Sequence, residues 1–184
     1  MKNFYLISCL ALIFSSCSHS SVDEWNSSVS GIDPNSKITM KINDIVYQEY
    51  IDSNDRLKWN KTINSNGTYD YSIYGYIHQN NFTVSFPKSI SFSLGSNIQN
   101  GQIININTPG FLFSIMGSGL DTSEYHFVNG TSSGQLKITY YDGITMSGEF
   151  NFTNIVKYVE NPQIGVNYTN NTIQGTFTSI EKHS

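Results

Sequence analysis

From Lys37 to the end of the chain, apolar and polar residues alternate with a period of two, and no stretch carries a sustained helical stripe. Period two puts successive side chains on opposite faces of an extended strand. Such a chain buries its apolar half only by pairing strands into a sheet. Turn residues punctuate the alternation. Asn43-Asp44, Asn64-Ser65-Asn66-Gly67 and Asp142-Gly143 supply the backbone freedom that tight hairpins need. Pro87 and Pro109 cannot donate to a sheet ladder and mark breaks between strands, as does Gly117-Ser118-Gly119. Leu, Ile, Val and Phe make up about a quarter of the residues, enough for a packed core and too many for a disordered chain.

About ten strands at spacings of roughly 8–12 residues predict one all-β domain over residues 37–184. The expectation is an antiparallel β-sandwich, with an up-and-down β-barrel as the alternative that fits the same pattern. Either places a ligand at loop ends, and a barrel can also hold one in its lumen.

The N-terminal segment reads as an address. Lys2 precedes an uncharged apolar run, Phe4 to Phe14. As a helix this run spans roughly 17 Å, little more than half a bilayer core. It is too short to stay in a membrane and fits a signal peptide over residues 1–16. Phe14-Ser15-Ser16-Cys17 has the form of a bacterial lipobox, in which Cys17 receives the lipid. The other cysteine, Cys9, lies inside the apolar run, so the processed chain has no disulfide and depends on its core. Residues 17–36, rich in Ser, Asp and Asn, form a lipidated tether. Trp25 is its one aromatic residue among Phe, Trp and Tyr. The membrane is then a partner through the lipid anchor, and Ser18 after the cysteine favours the outer membrane.

In the C-terminal third, alternation puts Leu136, Ile138 and Tyr140 on one face and Ile144, Met146, Gly148, Phe150 and Phe152 on one face. A second hairpin is expected to turn at Asn170-Asn171, with strands over 166–169 and 172–180. Met146-Ser147-Gly148-Glu149-Phe150 is echoed by Ile173-Gln174-Gly175-Thr176-Phe177. Gly148 and Gly175 are expected to face inward and leave room for a neighbouring aromatic ring.

These residues also carry a resemblance. Ser16-Cys17, Ile38-Thr39-Met40-Lys41-Ile42-Asn43 and the segment from Gly134 to Phe152, continued in Ile173 to Phe177, resemble a family of uncharacterised Bacteroidota lipoproteins filed as a domain of unknown function. That family favours G-x-L-x-I-T-x-Y-D followed by I-S-G-x-F-x-F. Asn43-Asp44 stands where it usually has Asn-Gly. The resemblance covers about a third of the chain and implies a surface location and a β-fold. It transfers no catalytic residue.

Side-chain chemistry is sparse. A net charge of −4 with one arginine, Arg56, gives no footprint for nucleic acid and no basic stripe for anionic lipid. No zinc motif or serine-nucleophile elbow occurs, so no cofactor, metal or catalytic residue is assigned. Asp121, Glu124 and His126 are the tightest ligand-like group, read equally well as a solvated edge strand. Asp52-Ser53-Asn54-Asp55 lacks the glycine of a calcium loop and reads as a polar turn. His19 and His183 are expected to be unheld. The binding candidate is the strand Thr68–His78. Its odd positions (Tyr69, Tyr71, Ile73, Gly75, Ile77) form a core face, and Tyr74, Tyr76 and His78 present a row of rings outward. Such a row suits a glycan or protein ligand. The functional expectation is a non-enzymatic, lipid-anchored binding module for a glycan, protein or small ligand. The alternatives are a lipid-anchored hydrolase whose site is not located and a structural envelope component.

Overall fold

Asn43 turns at φ 54° and Gly143 at φ 87°, so the short hairpins fall where the turn residues put them. The computed structural model describes residues 34–51, 56–80, 87–118, 122–128, 130–158, 160–161, 165–166 and 169–183. Cys17, Trp25, the 52–55 turn, residues 82–86, which alternation predicts as a strand, and Asp121 lie outside them. The described residues form β1 (Ile38–Ile42), β2 (Ile45–Glu49), β3 (Lys58–Ile63), β4 (Tyr69–Gln79), β5 (Lys88–Gly95), β6 (Ile103–Asn105) and β7 (Phe111–Met116). Then follow β8 (Glu124–His126), β9 (Ser133–Tyr141), β10 (Thr145–Tyr158), β11 (Glu160–Asn161), β12 (Gly165–Val166) and β13 (Thr169–Lys182).

The sheet closes on itself. Strands β1, β2, β4, β5, β7, β8, β10 and β13 each pair antiparallel with the next, and β13 pairs back to β1, from Ile38 opposite Phe177 to Ile42 opposite Ile173. This eight-stranded ring follows chain order, so the architecture is a closed up-and-down barrel and not the sandwich expected first. Alternation is identical in the two arrangements. Only the pairing of the first strand with the last separates them, and closure removes the two edges a sandwich sheet would leave. The lumen is filled. Phe92 meets Phe113 and Phe150 at 5.2 Å, and Phe113 meets Phe152 at 5.0 Å between ring centroids.

Two staves of the barrel are broken. β2 and β3 lie end to end along one edge of β4, where Glu49 opposes Ile77 and Lys58 opposes Tyr74. β8 and β9 lie end to end along one edge of β10, where His126 opposes Val156 and Ser133 opposes Thr153. Between the pieces, the described residues 51 and 56–57 at the first break, and 127–128 and 130–132 at the second, lie outside the strands. At the first break Leu57 is buried against Gly75, whose absent Cβ would stand 2.7 Å from the Leu57 Cα. At the second, Ser132 Oγ accepts from the Val128 N–H and donates to the Asn154 carbonyl, both at 3.0 Å.

Bulges reverse the expected phase at several points. The ladder passes from Ser147–Tyr140 to Gly148–Ile138, skipping Thr139. Tyr140 therefore faces solvent, and Tyr141 turns inward to meet Trp59 at 5.5 Å and Tyr71 at 6.0 Å. Ile144, 68% exposed, belongs to the turn and not to the core face. A second reversal at Ser179 (φ 48°) returns Ile180 to the core. The expected second hairpin is absent from its place. Asn170 and Asn171 lie within β13 opposite Val156 and Ile155, and the Asn171 side-chain amide donates to the Ile155 carbonyl at 3.0 Å. Tyr69 is exposed because β4 runs past the core into its hairpin, where the Lys61 ammonium sits 3.7 Å above its ring. His183 is held, contrary to expectation. Its N–H donates to the Trp59 carbonyl at 2.8 Å, and its ring stands edge-on to Tyr74 at 6.0 Å.

Candidate functional site: a serine-floored groove on the barrel wall

Ser89-Ile90-Ser91-Phe92-Ser93-Leu94 is the plainest alternation in the chain. Ile90, Phe92 and Leu94 are buried in the barrel, so the three serines point out from β5. Register then sets their neighbours. Ser72, Ser93 and Leu112 form one row across β4, β5 and β7, with Tyr74, Ser91 and Ser114 the next and Tyr76, Ser89 and Met116 the third. The middle column is all serine. Its flanks are Tyr74 and Tyr76 on one side and Leu112 (63% exposed) and Met116 (45% exposed) on the other. Small side chains between large ones make a shallow trough along β5. Its walls are two strand spacings apart, roughly 9.5 Å, and Ser89 to Ser93 spans about 13 Å.

The floor is hydroxylated and partly self-bonded. Ser91 Oγ and Ser114 Oγ are 2.8 Å apart, and Ser89 Oγ donates to the Met116 carbonyl at 3.5 Å. Each hydroxyl keeps capacity for a further bond. The outward assignment of Tyr74, Tyr76 and His78 therefore holds, but they are not a uniform row. Tyr76 is the most open at 36%. Tyr74 is half-buried beside His183, and His78 is half-buried, 5.8 Å from the Tyr50 ring and with its Nε2 3.3 Å from the Gln48 amide nitrogen. Tyr74 and Tyr76 wall the groove, whereas His78 packs toward β2. Sequence reasoning found the tyrosines and missed Ser89, Ser91, Ser93, Leu112, Ser114 and Met116. The repeated serine was the available signal.

The other candidates separate. Glu124 and His126 share the outward face of β8 and pair at 2.8 Å between Oε2 and Nε2. Among the described residues no group of three or more His, Cys, Asp or Glu is placed to hold a metal. Each broken stave opens a cavity. One of about 610 Å³ is lined by Val128, Thr131, Asn154, Val156 and Asn170, and one of about 260 Å³ lies among Lys37, Arg56, Leu57, Lys58, Glu181 and Lys182.

Shifted ionisations collect at the β9–β10 hairpin, away from the groove. Thr145 and Ile144 N–H groups donate to Asp142 and hold its carboxyl below the usual range. Tyr140, which donates to Asp142, is pushed up by that bond. Burial, and then its bond with Tyr71, pushes the Tyr141 phenol up to about 12. Comparison with protein-family models, curated proteins and solved structures finds no match to this chain.

Proposed function

We propose that this chain is a non-enzymatic, lipid-anchored protein of the cell envelope whose barrel binds an extended glycan along β5. The anchoring part rests on the Phe14-Ser15-Ser16-Cys17 segment. The observation that carries the binding part is the trough itself, in which aromatic and apolar walls enclose a floor of hydroxyls. Ring faces stack on the apolar faces of sugars, and serine hydroxyls exchange hydrogen bonds with sugar hydroxyls as donor and acceptor. A groove of roughly 13 Å suits a short run of sugar units. The filled lumen leaves the outer wall and the stave breaks as the places for a ligand.

The test is retention on a glycan array of neutral hexose and N-acetylhexosamine oligomers. Wild type should be retained by at least one oligomer class. Tyr76→Ala and Ser91→Val should each reduce retention about tenfold with melting unchanged. Loss of none of the retention in both variants overturns the groove as the site. The anchor is tested separately. Wild type should partition into the detergent phase, and Cys17→Ala should accumulate as unprocessed precursor; normal processing of that variant defeats the lipoprotein reading.

A further inference from the structure

We propose that the cavity at the first stave break is a binding site for a phosphate-type oxyanion. It lies along β13 between the start of β1 and the start of β3, where Ile38 opposes Phe177 and Lys58 opposes Glu181. Three distant segments bring four cations to it: Lys37, Arg56, Lys58 and Lys182. The whole chain has ten Lys and Arg and a net charge of −4, so this concentration runs against the overall balance. Sequence inspection missed it because the cations are spread over 146 residues of chain.

The basic groups are only partly satisfied within the protein. Lys37 Nζ donates to the Ser179 carbonyl at 2.9 Å and to Glu181 Oε1 at 3.1 Å. Lys182 Nζ stands 5.8 Å from the Trp59 ring. Among the described residues, Arg56 and Lys58 form no ion pair, and the Arg56 Nε is buried without a hydrogen-bond partner. A buried guanidinium N–H without an acceptor is costly, and an oxyanion supplies one with charge assistance.

The pocket is also built in advance. Glu49, fully buried, accepts from the Lys37 N–H at 2.9 Å through one carboxylate oxygen and from the Leu57 N–H at 2.8 Å through the other. It pins two of the contributing segments to each other. Four cations against the carboxylates of Glu49 and Glu181 leave two positive charges among the described residues, which matches a phosphate dianion better than a carboxylate. Phosphomonoesters carry this chemistry, whether in a lipid headgroup such as phosphatidic acid or in a soluble phosphate compound. The headgroup source rests on the anchored reading above, since Lys37 follows the tether; the site itself does not.

Arg56 is the one arginine in the chain, so its Nε–H gives a single resolvable NMR signal. Full-length protein in neutral detergent is titrated with inorganic phosphate and, separately, with acetate. The expected result is a saturable Arg56 shift at least tenfold tighter for phosphate than for acetate. Lys58→Gln/Lys182→Gln should weaken it at least tenfold, with Lys41→Gln as a folded control that leaves it unchanged. No saturable shift, equal response to acetate, or full affinity in the folded double variant overturns the site. Nanodiscs then separate the sources. A shift in phosphatidic acid discs without added phosphate identifies a headgroup, and a shift that needs soluble phosphate in both phosphatidic acid and phosphatidylcholine discs identifies a solute.

Discussion

Two regions use the same device, a small residue in register beside a large one, and reach opposite results. In the β10–β13 seam, Gly148 opposes Phe177 and Phe150 opposes Gly175. A Cβ on Gly148 would stand 2.4 Å from Phe177 Cζ, and one on Gly175 would stand 2.8 Å from Phe150 Cζ. Each ring fills the space over the opposite glycine. On the β4–β5–β7 wall, Ser91 lies between Tyr74 and Ser114, and Ser89 between Tyr76 and Met116, yet the space over the serines stays open. The seam faces the lumen, where an empty volume costs dispersion contacts and is closed by a neighbour. The wall faces water, which fills the trough at little cost. A vacancy becomes core on one side of a sheet and a groove on the other.

The comparison breaks most directly at the rings of the seam. Phe177→Ala should cost roughly 3–5 kcal/mol, because it removes a fully buried ring and leaves Gly148 no side chain with which to fill the cavity. Denaturant unfolding measures it. A cost under about 1 kcal/mol would show that the seam is not interlocked. Gly148→Val comes next. The added group meets Phe177 and also the Lys137 carbonyl at 2.6 Å, so a loss of about 3 kcal/mol is expected. For a chain of this size that lowers Tm by roughly 6–12 °C. Combined with Phe177→Ala, the valine should cost clearly less than it does alone, since half of the clash has gone. Strict additivity would mean that the two positions do not share one space.

A pH test sharpens the boundary between core and wall at Tyr141, the phenol that a bulge turns inward. Its folded pKa of about 12 lies above the ordinary 10.0, so the folded state holds the proton more tightly. The stability this contributes is complete below pH 10 and is lost as pH rises toward 12. Melting of wild type should therefore fall across that window, and Tyr141→Phe should show the smaller fall. Identical slopes would place this phenol in solvent. The smallest effects belong to the wall. Tyr74→Ala, Tyr76→Ala and Ser91→Val should each change stability by no more than about 0.5 kcal/mol, as surface substitutions do. A drop several times larger would mean that the groove is closed in solution.

Much of the strand pattern was legible along the chain. Alternation between Pro109 and Gly117 predicts a strand over Phe111–Met116, which has those bounds, and the inward assignment of Tyr71, Ile73, Gly75 and Ile77 holds, as do the ring-accommodating roles of Gly148 and Gly175. Misplacements have three causes: a phase slip at Tyr140, strand ends at Ile144 and Tyr69, and a strand that runs straight through Asn170-Asn171. Parity groups Tyr140, Ile144 and Tyr69 with core residues, yet all three are exposed, and Asn170-Asn171, a turn by composition, pairs within β13. A bulge adds one residue on one strand only, so it is set by the partner strand and leaves no mark in the alternation of its own.

Period two and the turn residues determined that this chain forms antiparallel strands with a mostly Ile and Phe face inward and a face rich in Ser and Thr outward. Those are local properties, decided within a few residues by backbone sterics and burial. Closure into a barrel, the two broken staves and the alignment of Tyr76 with Ser89 and Met116 depend on which strands meet and in what register. So does the gathering of Lys37, Arg56, Lys58 and Lys182. Register is a relation between segments far apart in the chain, and it is chosen by the packing of the whole core. That is why the groove and the cationic pocket exist only in the folded barrel.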